Sequence, residues 1–173
     1  TYSIDLPYIS ETYSVINKYK YKYFTELYEN NLSSFSLSLR SAHSLKNEDI
    51  KLSERLRVPS SLLRGFEFGK VGPKDGDDYI GGNYMVAVNF SSTLPQVLEN
   101  SQNTDFLIFV DAANLWGVDY NSSLDDNEIR SSVGIALDWF SPVGPMNFSL
   151  AQPLTKSDND VTESFRFNLG TTF

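Results

Sequence analysis

Apolar and polar residues alternate along most of this chain with a period of two. Phe35, Leu37 and Leu39 are interleaved with Ser36, Ser38 and Arg40. Val133, Ile135, Leu137 and Trp139 are interleaved with Ser132, Gly134, Ala136 and Asp138, and Met146, Phe148 and Leu150 with Asn147, Ser149 and Ala151. Phe165, Phe167, Leu169 and Phe173 alternate with Arg166, Asn168, Gly170 and Thr172. Successive side chains of a strand point to opposite faces, so each segment offers one apolar face and one small or polar face. Helix-period segments are scarce. The pattern predicts an all-β, antiparallel meander of about eight strands, at 2–9, 13–28, 32–45, 84–93, 105–115, 129–140, 144–152 and 163–173.

The connections alternate in size. Glu29-Asn30-Asn31 and Ser141-Pro142-Val143-Gly144-Pro145 are short turns, whereas 46–83, 116–128 and 153–162 are longer and rich in Asp, Asn, Ser and Gly. Short turns on one side and long loops on the other are the pattern of an outer-membrane barrel, whose strands need only about ten residues to cross. No run of about eighteen apolar residues is present, so no spanning helix is expected, and no apolar leader-type segment follows Thr1. A soluble eight-stranded barrel fills its interior with large apolar side chains. The second face here carries Ser, Asn, Gly, Asp and Arg, which suits a wet lumen. Tyr13, Tyr19, Tyr21, Tyr23, Tyr28, Trp116 and Trp139 are candidates for interfacial aromatic girdles.

The connection 46–83 is unusually long for a compact domain, and such loops are commonly functional. It holds Leu63-Arg64-Gly65-Phe66: one cation, one permissive glycine, one aromatic anchor. That combination suits a loop folded back and pinned to a surface by an ion pair.

Composition narrows the chemistry. The 173 residues are enough for one domain and contain no cysteine, which excludes disulfides and Cys-ligated metal sites. The net charge of −8 has the wrong sign for a nucleic-acid binder. The lone histidine, His43, has no nucleophile-elbow serine motif to work with and reads as structural or solvated. Asp75, Asp77 and Asp78 resemble a calcium cluster only superficially, lacking the EF-hand glutamate; they read as an exposed acidic loop, as do Asp125 with Asp126 and Asp158 with Asp160. Lys18, Lys20 and Lys22, alternating with tyrosines, read as lumen-lining or as an exposed basic stripe. No enzyme, cofactor or metal is expected.

Several motifs, in order, carry a family resemblance: Leu63-Arg64-Gly65-Phe66, Gly72-Pro73-Lys74, Ile80-Gly81-Gly82-Asn83, Asp111-Ala112-Ala113-Asn114-Leu115-Trp116, and the run Ile129 to Pro153 with Gly134-Ile135-Ala136-Leu137-Asp138-Trp139 and Ser141-Pro142-Val143-Gly144-Pro145. With the tail Phe165 to Phe173, about the last 110 residues resemble the C-terminal barrel portion of the BamA family of outer-membrane assembly factors, of the superfamily that also holds TamA and two-partner-secretion transporters. Residues 1–60 match only in strand pattern.

The resemblance implies a sixteen-stranded barrel preceded by periplasmic POTRA domains, of which residues 1–173 would be the C-terminal barrel half. A half barrel leaves two unpaired edges that lipid cannot satisfy, so the chain is expected to be part of something larger. It implies that Arg64 reaches into the barrel and pairs with a wall acid, here Asp111. Strand parity places Asp111 with Leu107, Phe109 and Ala113 on the lumen face, opposite Phe106, Ile108 and Val110. A second family acid falls near Ser91, where this sequence has no carboxylate. The strand 163–173 would be the closing strand and assembly signal, carrying Phe165, Phe167, Leu169, Gly170 and the terminal aromatic Phe173, with its weakest pairing near Gly170. The implied function is insertion of β-barrel proteins into the bacterial outer membrane by strand pairing at a lateral seam. The implied partners are unfolded outer-membrane protein clients, accessory assembly lipoproteins and outer-membrane lipid, with no nucleic acid. A secretion pore of the same superfamily shares Arg-Gly-Phe but differs around Ser141 to Pro145. A passive porin would lack the arginine-bearing loop.

Overall fold

Period-two alternation becomes strand along most of the expected segments. The computed structural model describes residues 1–5, 14–46, 48–95, 103–125, 127–142 and 144–170. The strands are β1 (Tyr2–Asp5), β2 (Ser14–Thr25), β3 (Ser33–Ser44), β4 (Lys74–Asp75), β5 (Asp78–Tyr79), β6 (Tyr84–Thr93), β7 (Thr104–Trp116), β8 (Arg130–Ser141), β9 (Gly144–Thr155) and β10 (Phe165–Leu169). Eight form one antiparallel sheet in the order β1-β2-β3-β6-β7-β8-β9-β10, while β4 and β5 make a small hairpin inside the long loop. Every pairing between sequential strands of the large sheet is antiparallel. The sheet is an open meander whose edges are β1 and β10.

Three strands end away from their expected bounds, and β2 stops at Thr25 rather than at residue 28. Strand β9 runs on to Thr155 because a register shift beside Ser131 and Ser132 absorbs Pro153, and proline, having no N–H, is tolerated at such irregularities. The ladder of β10 stops at Leu169, although the Gly170 N–H still bonds the Pro145 carbonyl at 3.0 Å. Gly170 sits at φ +128°, outside strand geometry, which accounts for the end. Phe173, Tyr13 and Asp126 lie outside the described residues.

The large apolar residues face outward: Phe35, Ile108, Val110, Ile135, Leu150, Phe165 and Phe167 are all exposed. Trp116 stacks on Tyr84 at the long-loop end of the sheet, 5.9 Å between ring centres, and Trp139 sits at the short-turn end, paired with Met146. Those positions suit girdles. Tyr19, Tyr21 and Tyr23 instead run along the length of β2.

The inward face is not uniformly wet, and this corrects the reading of its small residues. Ala42, Met85, Ala87, Ala113 and Leu115 are buried against Ile50, Leu56, Val58, Leu62, Leu63, Phe66 and Val71 of the long loop. The alanines keep the wall low enough for the loop to lie on it. Burying a Leu or Phe side chain contributes about 1.5–3 kcal/mol, so this seam offsets much of the entropy of ordering the loop. The rest of that face is open and polar. Lys20, Lys22, Ser34, Ser36, Asn147 and Asn168 help line a cavity of about 240 Å³ beside Arg64.

Candidate functional site

Arg64 is brought to the wall by the turn before it and the glycine after it. Leu63 and Phe66 are buried anchors on either side. Between them Gly65 adopts φ +90°, and a Cβ there would lie 3.1 Å from the Ala151 Cβ and 3.3 Å from the Ser132 Cβ. Only glycine takes that conformation at little cost while lying this close to β8 and β9.

The pairing expected with Asp111 is present and bidentate. Arg64 Nε donates to Asp111 Oδ2 at 2.7 Å and Nη2 to Oδ1 at 2.8 Å. Its backbone N–H adds a third bond to Oδ2 at 3.1 Å. Forked, charge-assisted bonds of this kind fix orientation as well as adding energy. The carboxylate is fully buried, whereas the Arg64 side chain remains 18% exposed toward the cavity. Asp111 is therefore the fixed half of the pair.

The expected vacancy on the neighbouring strand is filled differently. Asn89, not Ser91, stands opposite Asp111 in the β6–β7 ladder. Its Nδ2 donates to Asp111 Oδ1 and to the Leu62 carbonyl, both at 2.8 Å. An amide thus takes a place beside a buried carboxylate where a second acid would add repulsion. The guanidinium also lies over the Phe109 ring, 3.4 Å from its centre. Phe109 can lie there because Gly134 is beneath it: a Cβ on Gly134 would meet the ring at 2.4 Å and the Leu150 carbonyl at 2.2 Å. Ser132 Oγ closes the shell, donating to the Arg64 carbonyl at 2.5 Å.

A second pair was not expected. Arg130, at the start of β8, donates from Nε to Asp160 Oδ2 at 2.9 Å and from Nη2 to Oδ1 at 3.2 Å. Both side chains are completely buried. Asp160 also accepts the Ser157 amide at 2.7 Å. This overturns the reading of Asp158 and Asp160 as equivalent acids of an exposed loop: Asp158 is exposed, Asp160 is not. Nothing in Ser-Asp-Asn-Asp separates the two. The usable signal was Arg130, a charge whose parity matches the inward-facing Ser132 and Ala136.

A third pair secures the loop's first turn. Arg55 bonds Asp119 and the Ile50 carbonyl, and the Ile50 amide donates to Asp119 at 2.6 Å. Burial pushes the Asp119 carboxyl up, but the Ile50 amide, the Asn83 side chain and the Arg55 charge outweigh it and hold its pKa below the ordinary value. Among the other candidates, His43 packs edge-on against Tyr84 at 5.6 Å. Asp125 caps the Gly117 and Val118 amides at 2.8 Å each. Asp75 and Asp78 stay exposed, Asp75 accepting the Tyr120 hydroxyl. No group of three acids or histidines able to hold a metal occurs among the described residues.

On the closing strand, Phe165, Phe167 and Leu169 face outward and Arg166 faces the loop, as parity required. Leu63, Arg64, Gly65, Phe66 and Asp111 come together at one place; Gly170 lies apart from them, below the last paired residue of β10.

Residues 9–173 match the model of the Omp85 superfamily domain. The outer membrane protein assembly factor BamA of Neisseria meningitidis serogroup B is 34% identical over 139 residues, covering 64% of this chain and 17% of that protein. The 50 kDa subunit of the sorting assembly machinery of Saccharomyces cerevisiae is 30% identical over 122 residues, or 65% of this chain and 25% of its own length. The chain therefore spans a quarter or less of these two curated relatives. The crystal structure of BamA from Haemophilus ducreyi lacking POTRA domains 1–3 superposes with a TM-score of 0.82 at 26% identity, over 92% of this chain and 35% of that one. An open antiparallel wall carrying an in-folded arginine loop, matched along nearly its whole length, belongs to the Omp85 superfamily.

Proposed function

We propose that this sheet is part of a bacterial outer-membrane machine that inserts and folds β-barrel proteins. The observation that carries the reading is the long loop seated on the inner wall, with Arg64 forked onto the buried Asp111. A channel needs a lumen; it does not need its interior wall covered by a seated loop. An edge strand presents unpaired N–H and C=O groups, which in lipid must find a partner. A client strand can add to that edge by β-augmentation, and the same closing strand carries the outward row Phe165, Phe167 and Leu169 that lipid accepts.

The work is done without a reaction centre. Folding free energy of the client drives insertion, and the loop keeps the wall in the shape that presents the edge. The partners are unfolded barrel clients, outer-membrane lipid, and accessory lipoproteins recruited through parts of the protein outside these 173 residues. The test is client folding by the full-length protein in proteoliposomes. Arg64→Ala should lower the folding rate while the variant itself remains inserted. An unchanged rate would remove the loop from the mechanism, and full activity with β10 locked by a disulfide to the first strand of the whole barrel would remove the lateral seam.

A further inference from the structure

Beyond the arginine–aspartate fork, the loop is fastened to the segment that leads into β10. Residues 65–70 and 161–163 run antiparallel. The Glu163 amide donates to the Gly65 carbonyl at 3.0 Å, the Glu67 amide to Val161 at 2.9 Å and the Val161 amide to Lys70 at 3.1 Å. Phe66 and Thr162 form the bridge between them. Two side chains fix this strip at its ends. At one end Arg166, inside β10, donates from Nη2 to the Phe66 carbonyl at 2.8 Å and from Nε to Glu163 at 2.9 Å. At the other end Asp160 accepts the Gly72 amide at 3.4 Å and is held by the buried Arg130.

We propose that Asp160 and Arg166 are positioning residues that join the Arg64 loop to the closing strand, so that displacing the loop displaces the strand edge. Strand β10 has five residues in its ladder to β9, and Arg166 within it carries a side-chain bond to the loop as well. Arg166 is the direct tie, because one guanidinium spans a loop carbonyl and the strand's own lead-in. Asp160 is the indirect one: it sets the height at which the strip meets the wall. The significance of this tie rests on the assembly reading; its test does not.

The test is amide hydrogen exchange of the full-length protein in lipid nanodiscs. Arg64→Ala should raise exchange at Leu62–Gly72 and also, by about tenfold, at Phe165–Leu169, since local opening is read directly as faster exchange. In the Arg166→Gln background the same Arg64→Ala change should no longer reach Phe165–Leu169, and Arg166→Lys should restore part of the effect. Asp160→Asn should loosen both segments and leave β6 and β7 unchanged. If Asp160→Asn does not insert, the Arg64 and Arg166 variants decide alone. Faster exchange confined to Leu62–Gly72 after Arg64→Ala would overturn the proposal. No client is present in this measurement, so a coupled strand with client folding unimpaired by Arg64→Ala would remove the loop from the assembly mechanism and leave the tie standing.

Discussion

The two principal clamps use the same chemistry in different surroundings. Arg64–Asp111 joins a loop to a wall, with the cation facing a wet cavity and the acid buried. Arg130–Asp160 joins the wall to a loop, with both partners out of water. A buried pair gains strong attraction but costs its desolvation, so its net contribution is small while the cost of breaking it is large. The other pair differs on its cation side only: Arg64 is 18% exposed and can be hydrated, while Asp111 stays buried. The difference teaches that Arg130–Asp160 suits a fixed fastening and Arg64–Asp111 a releasable one.

Removing the cation from each pair separates the two cases most sharply. Arg130→Ala should destabilise the folded sheet by about 3–5 kcal/mol, because Asp160 is left charged and buried; urea unfolding of the full-length protein in phospholipid vesicles measures it. Arg64→Ala should cost less, about 1.5–3 kcal/mol, in line with charged hydrogen bonds, since Asn89 and the residue 64 amide still reach Asp111. Equal losses would abolish the distinction.

These two pairs were also unequally legible. The family resemblance named Arg64 and Asp111 as partners, and strand parity agreed by putting Asp111 on the lumen face. Asp160 sits among similar acids, and its burial depends on where Arg130 and Gly72 arrive in space. Strands were legible because alternation is local. The packed loop was not, since Ala42, Ala87 and Ala113 look the same whether they line water or receive Leu63 and Phe66. The amide on β6 that faces Asp111, Asn89, was not foreseen, because register across a ladder is not encoded in either strand alone.

Smaller changes sharpen the comparison. Asn89→Ala should cost about 1 kcal/mol, the typical net value of a hydrogen bond, and should make Arg64→Ala more damaging in a double-mutant cycle. Additive losses would mean that Asn89 does not share the load on Asp111. The mildest test is pH. Asp119 has a folded pKa below the ordinary value of 3.8. The stability it lends is therefore complete above that value and is lost as pH falls through the lower, folded pKa. Trypsin-like cleavage after Lys51 carried out across a pH series with an acid-tolerant protease should stay flat from pH 7 to about 5 and rise only below about 4. A rise near neutral pH would mean that Arg55–Asp119 is not what holds the first turn of the loop.

The strip that joins residues 65–70 to 161–163 also has a consequence in time. Arg64 meets an acid 47 positions later in the chain, and Phe66 meets Arg166 a full 100 positions later. Contacts of such long range form late, because the intervening chain must be ordered first. The loop is made early, but its arginine has no acid to meet until β7 stands, and the strip cannot close until the last strand has arrived. Completion of the C-terminal strand is thus the event that fastens the strip, and a chain whose last strand is delayed leaves the Phe66 carbonyl without Arg166 for the whole of the delay.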